Sequence, residues 1–233
     1  MSLSKLSLLA VAATITFGGV AAHADSLTLG SSGGAFWFNF NSNPEHAAGG
    51  NDAGSSAVIN GKTVNFTAVY CVDLNDSINS NTVYNNATFD TVGVVNNGTV
   101  HHAAEIAWLL LNTAVTDTTQ SEGLQAAIWE EEYGNDFYVY SSGQSGITSA
   151  ENSDLAALSH ANVTNPSALI AQLDWITPPY SSQGHDKDEE ENNYKQGLVG
   201  LPDPPAVPEP GTLSLLGTGL LGVAGLIRRR LSA

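Results

Sequence analysis

Asn96-Asn97-Gly98, followed after a short gap by Ala103-Ala104-Glu105-Ile106-Ala107-Trp108-Leu109-Leu110-Leu111, marks the point where the pattern of this 233-residue chain changes. The nine-residue run is apolar nearly all round, which predicts a buried helix. Upstream the pattern is different. Phe36, Phe38 and Phe40 alternate with other residues, and so do Val64, Phe66, Ala68 and Tyr70. Period two between turn clusters such as Ser31-Ser32-Gly33-Gly34 and Asn60-Gly61 predicts strands joined by loops, a style that continues through residues 82–95. Downstream, Thr119-Gln120-Ser121-Glu122 has the form of a capping box, Leu124, Ala127 and Ile128 keep helical spacing, and Gly134 is a stop. Phe137-Tyr138-Val139-Tyr140 reads as a returning strand. Asn165 and Pro166 open a third helix as N-cap and first residue, with Leu169, Leu173 and Ile176 on one face and Pro178-Pro179 as its end. The expected fold is α+β: N-terminal antiparallel strands in a sandwich or barrel, then about three helices, with a further apolar helix at each end of the chain.

Charge is distributed unevenly. Between residues 25 and 207 three lysines, Lys62, Lys187 and Lys195, face 22 acids, a formal charge of −19. Such a body repels phosphate backbones, so nucleic acid is excluded as a partner. At 42% hydrophobic and 13% charged, the chain also has the composition of a folded protein.

The ends read as addresses. Residues 1–24 combine Lys5, an apolar run from Leu6 to Ala22 and the small-x-small site Ala22-His23-Ala24, the pattern of a cleaved secretory signal. The body is expected at 25–201 and a Pro-rich linker at 202–211, leaving 212–233 as a tail. In that tail Thr212–Ile227 is an apolar stretch that would span about 24 Å as a helix, a little short of a bilayer core. Arg228, Arg229 and Arg230 follow it and orient that end toward the cytoplasm, so the body lies outside. Pro208, Glu209 and Pro210, the apolar stretch and the arginine cluster, in that order and at the terminus, resemble the PEP-CTERM sorting signal of Gram-negative bacteria. The resemblance implies a transient anchor in the inner membrane and recognition by an exosortase, a membrane protease that removes the helix and delivers the body to the cell surface or matrix. Pro208 and Pro210 keep the segment extended, the form a protease binds.

Cys71 is the single cysteine, so no internal disulfide is open to it. It lies in Tyr70-Cys71-Val72-Asp73, at the end of a predicted strand, and Leu124-Gln125-Ala126-Ala127-Ile128-Trp129 follows on the second predicted helix. These two segments resemble the aromatic-Cys-apolar and apolar-Gln-x-x-apolar-Trp motifs of the thioester domains of bacterial surface adhesins. In many members threonine precedes the glutamine, where this chain has Leu124. The resemblance implies that the Cys71 sulfur attacks the Gln125 side-chain carbonyl, releasing ammonia, and that the resulting bond can be opened by an amine or hydroxyl on a surface polymer. It further implies shielding by Tyr70 and by Trp129, which stands one turn beyond Gln125. No cofactor, metal or enzymatic activity is implied. The alternative is a structural or carbohydrate-binding matrix protein with an inert Cys71.

Other groupings carry less. His101-His102 begins a predicted helix, where adjacent residues face different directions, so a solvated or capping role is expected. Glu130-Glu131-Glu132 reads as a solvated helix end, and Asp186-Lys187-Asp188-Glu189-Glu190-Glu191 as an acidic loop whose spacing matches no EF-hand. No protease signature surrounds Cys71. Of Trp37, Trp108, Trp129 and Trp175, most are expected in the core, with Trp37 able to sit at the surface.

Overall fold

The computed structural model describes residues 24–179 and 195–204. All strand pairs there are antiparallel. The strands are β1 (Ser26–Leu29), β2 (Gly34–Phe40), β3 (Asn43–Gly49), β4 (Ser56–Ile59), β5 (Lys62–Cys71), β6 (Thr82–Asn85), β7 (Thr88–Asp90), β8 (Val94–Val95), β9 (Gly98–Thr99), β10 (Phe137–Val139), β11 (Asp174–Thr177) and β12 (Leu198–Pro202). Seven form one sheet in the order β6-β1-β4-β5-β12-β11-β7, three form a second in the order β10-β2-β3, and β8-β9 is a short ribbon. The helices are α1 (Ala103–Asn112), α2 (Thr118–Tyr133), α3 (Ser145–His160) and the single turn α4 (Pro166–Ile170). The predicted mixture of antiparallel strands and helices is therefore present. The two terminal apolar segments, the sorting tail and the acidic loop lie outside the described residues. Among the described residues no helix is long and apolar enough to cross a membrane.

Local chemistry accounts for most boundaries. Asn60-Gly61 connects β4 to β5 as a two-residue loop, with φ of 51° and 75° and Ile59 opposite Lys62. Both residues occupy the left-handed region that such a hairpin turn requires. Helix α2 is capped two residues before the predicted box begins. Asp117, in extended conformation, accepts a hydrogen bond from the Gln120 amide at 2.9 Å, while Gln120 Oε1 accepts one from the Thr116 amide at 2.8 Å. An ionised carboxylate at the N-cap outcompetes a threonine hydroxyl two residues on. The helix ends at Gly134, φ 57°, as the sequence anticipates.

Two expectations need correction. Asn165 and Pro166 do open a helix, but it stops at Ile170, and Trp175 and Ile176 belong to β11, where both are fully buried between β12 and β7. A slot in the sheet that hides both faces of a strand outweighs the weak preference of a short helix. Helix α3 was not anticipated because it buries only Ile147, Glu151 and Leu158 and so carries little apolar periodicity.

The central sheet is covered on both faces. Along β5 and the residue after it, Val69 and Cys71 enter one apolar cluster with Phe36, Phe38, Trp129 and Leu198, while Tyr70 and Val72 enter another with Ile106, Leu109, Ile128 and Trp175. Alternation of side chains along a strand produces that division. Helix α2 contributes to both clusters, which is why its residues 121–129 are all buried and why its own sequence has no strong polar face over that stretch.

Candidate functional site

Cys71 ends β5, where it lies opposite Leu198 of β12, and Gln125 stands in the middle of α2. The structure brings them together. The Cys71 backbone N–H donates to Gln125 Oε1 at 2.9 Å, and Gln125 Nε2 donates to the Cys71 carbonyl at 2.7 Å. Both residues are buried, Cys71 at 5% and Gln125 at 0% exposure. A buried primary amide needs partners, and this one has its donor and acceptor aligned with a single residue, so the side chain is fixed in plane and in distance. The carbonyl carbon of Gln125 is thereby held against the residue that carries the sulfur.

The helix is held at this height by further contacts. Ser121, one turn before Gln125, has its Oγ 3.2 Å from the Tyr70 hydroxyl and accepts from the Asn51 amide at 2.7 Å; Asn51 Oδ1 in turn accepts from the Val69 amide at 3.0 Å. At the far end of α2 the Tyr133 hydroxyl accepts from the Leu74 amide at 2.9 Å. Between these ties the helix runs close to β3. A Cβ on Gly49 would meet Phe36 Cε1 at 2.6 Å and Gln125 Cγ at 3.1 Å, so only glycine leaves the room that the Gln125 side chain occupies.

Trp129 is fully buried in the same cluster as Cys71, with its ring 5.7 Å from Phe36, 5.1 Å from Phe38 and 5.7 Å from Phe137. This aromatic mass keeps solvent from the Cys71 side of β5. Tyr70 lies on the opposite face of the strand, so its part is to brace Ser121 and α2, and burial pushes its hydroxyl up to about 12.

The electrostatics around the sulfur are acidic. Burial raises the Cys71 thiol well above its ordinary range, and the charges of Asp52 and then Asp73 raise it further. Asp52 is itself buried, which pushes its carboxyl up to about 6 in spite of the hydrogen bond donated by Ser80. Asn51, Asp52, Ser121 and Gly49 gave no sign in the sequence, because each acts through a contact between distant segments.

The remaining groups sit apart. His102 Nδ1 is 3.3 Å from Glu131 Oε2 at the α1–α2 end of the molecule. Glu130 is exposed, as a solvated helix end should be, but Glu132 is only partly so: burial pushes its carboxyl up to about 8, and among the described residues its Oε2 has no hydrogen-bond partner. No group of three or more His, Cys, Asp or Glu among the described residues has the arrangement of a metal site. Trp129 and Trp175 are fully buried, Trp108 is half-buried and Trp37 is 53% exposed.

Comparison with known families bears on the tail. The model of the PEP-CTERM protein-sorting motif matches residues 206–230, the stretch from just before Pro208 through Arg230. The chain carries a PEP-CTERM motif. That motif is a signal for export and surface sorting by exosortase. No curated protein and no solved structure matches the chain, so the body has to be read from its own geometry.

Proposed function

We propose that the body is a non-enzymatic adhesive module whose Cys71 and Gln125 side chains condense into an internal thioester, available to an amine or hydroxyl on a surface polymer. The observation that carries this reading is the pair of hydrogen bonds between the Gln125 amide and the Cys71 backbone, in a site closed to water. With the carbonyl fixed, attack by sulfur is intramolecular and needs no cofactor. The Cys71 N–H that now holds Oε1 also stabilises the negative charge that grows on that oxygen as the S–C bond forms. The C–N bond then breaks, and ammonia leaves with the thiol proton. Sorting to the cell exterior by the C-terminal motif supports the same reading, since covalent capture of a polymer is of use only outside.

Intact-mass measurement of the purified exported protein tests it. A thioester lowers the mass by one ammonia, about 17 Da, and methylamine then adds its own mass at Gln125. An unmodified mass with Cys71 open to alkylation after unfolding refutes it. One observation favours a second reading, in which Gln125 is a structural pin and the thiol stays inert. Burial and two nearby carboxylates all oppose formation of a thiolate.

A further inference from the structure

The second sheet has an outer face that none of the above uses. On β2, Phe36 and Phe38 point into the core and Trp37 points out; on the neighbouring β10, Phe137 and Val139 point in and Tyr138 points out. Trp37 and Tyr138 are 53% and 51% exposed, which is unusual for residues of this size. Nor are they loosely held. Gln144 accepts from the Trp37 amide at 2.6 Å and donates to the Trp37 carbonyl at 2.7 Å, and His46 of β3 stacks on the indole with centroids 4.4 Å apart and planes at 29°. Tyr138 rests against the Tyr140 ring at 5.8 Å. The register puts Tyr138 opposite Asn39, two residues from Trp37 on the same face, so the two exposed rings are diagonal neighbours, roughly 7–8 Å apart at the backbone.

Tyr138 also forms part of the wall of a 720 Å³ cleft between that sheet and the ends of α1 and α2. The rest of its lining is mostly polar and includes His101, His102, Glu131 and Asn135. An apolar ring platform that runs into a cleft rich in donors and acceptors matches one ligand chemistry above others. A pyranose presents C–H groups on its flat face and hydroxyls around its rim, so it stacks on an aromatic ring while bonding to side-chain carboxylates, amides and imidazoles. Charge narrows the choice further. The carboxylates at the cleft and the −19 charge of the surrounding body repel anionic polymers.

We infer that the outer face of β2 and β10, with the adjoining cleft, is a non-covalent binding site for a neutral polysaccharide, with Trp37 and Tyr138 as its stacking platform. This site is independent of the Cys71–Gln125 chemistry. Both rings are surface-exposed, so replacing them leaves the core packing in place.

Affinity electrophoresis of the full exported chain through gels containing soluble starch, xylan or hydroxyethylcellulose, with pull-down on cellulose and chitin, tests the inference. At least one of these neutral polymers is expected to retain the protein, and free oligosaccharide of the same polymer to release it. Trp37→Ala and Tyr138→Ala should each weaken retention by about tenfold or more at unchanged melting temperature. The inference is overturned if none of these polymers retains the chain or if the double variant is retained as well as the parent. Retention that free oligosaccharide cannot reverse, and that methylamine pretreatment abolishes, would mean covalent capture and would also overturn it. Reversible retention by a protein of unmodified mass would leave this site standing while removing the thioester.

Discussion

Replacing Cys71 by alanine separates a covalent from a non-covalent junction between β5 and α2 by the size of its effect. The junction joins positions 54 residues apart. A covalent link that closes a loop of that length restricts the unfolded chain by about 4 kcal/mol. Removing the sulfur from a site 5% exposed costs only about 1 kcal/mol of packing, because the Cys71 backbone keeps both hydrogen bonds to Gln125. Cys71→Ala should therefore lose about 5 kcal/mol if the bond exists, which for a body of this size lowers the melting temperature by roughly 10–20 °C. Urea unfolding followed by fluorescence of the buried Trp129 and Trp175 measures it, with intact mass recorded on the same sample. A loss near 1 kcal/mol with a parent protein of full mass refutes the covalent reasoning and leaves Gln125 as a pin.

Three other outcomes follow from particular contacts. Gly49→Ala should cost about 1–3 kcal/mol and disturb the site, since the added Cβ meets Phe36 at 2.6 Å and Gln125 at 3.1 Å; thermal melting together with alkylation of Cys71 checks it. Asp117→Ala should cost about 1 kcal/mol by removing the cap of α2, measured by urea unfolding. Glu151 is 4% exposed, and burial, then the nearby Glu130, pushes its carboxyl up to about 8. A carboxyl raised in this way favours the folded state below about pH 4.5, and that contribution is lost as pH rises toward 8. Glu151→Gln should thus stabilise the protein at pH 8 by roughly 1–3 kcal/mol and change little at pH 4, as melting curves across that range would reveal.

Much of the fold was legible because local signals were strong. The alternation of Phe36 and Phe38 marked a strand with one buried face, and the run from Ala103 to Leu111 marked α1. Gly134 marked the end of α2. The signals failed where a segment's state was set by what lay beside it. Trp175 and Ile176 carry a pattern compatible with either helix or strand, and the gap between β12 and β7 made them a strand. Helix α3 offers too few apolar residues to announce itself and is held instead by packing against α2, where a Cβ on Gly123 would meet Ala150 at 2.4 Å. The site was legible by motif alone. The pairing of Cys71 with Gln125 came from the motif resemblance, whereas Ser121, Asn51 and Asp52 could not be placed near them.

The sequence by itself determined the destination of this protein and the chemistry available to it: the order of Pro-Glu-Pro, apolar run and arginines is a linear code, and a single cysteine excludes an internal disulfide. Tertiary structure decided which groups meet. It turned Cys71 and Tyr70 to opposite faces of β5, closed Gln125 against the Cys71 backbone, and left Trp37 and Tyr138 in solvent while it buried Trp129 and Trp175. The physical reason is that strand periodicity fixes only that neighbours along a chain point opposite ways. Which of the two sides becomes the interior depends on the helices and strands that arrive from elsewhere in the chain.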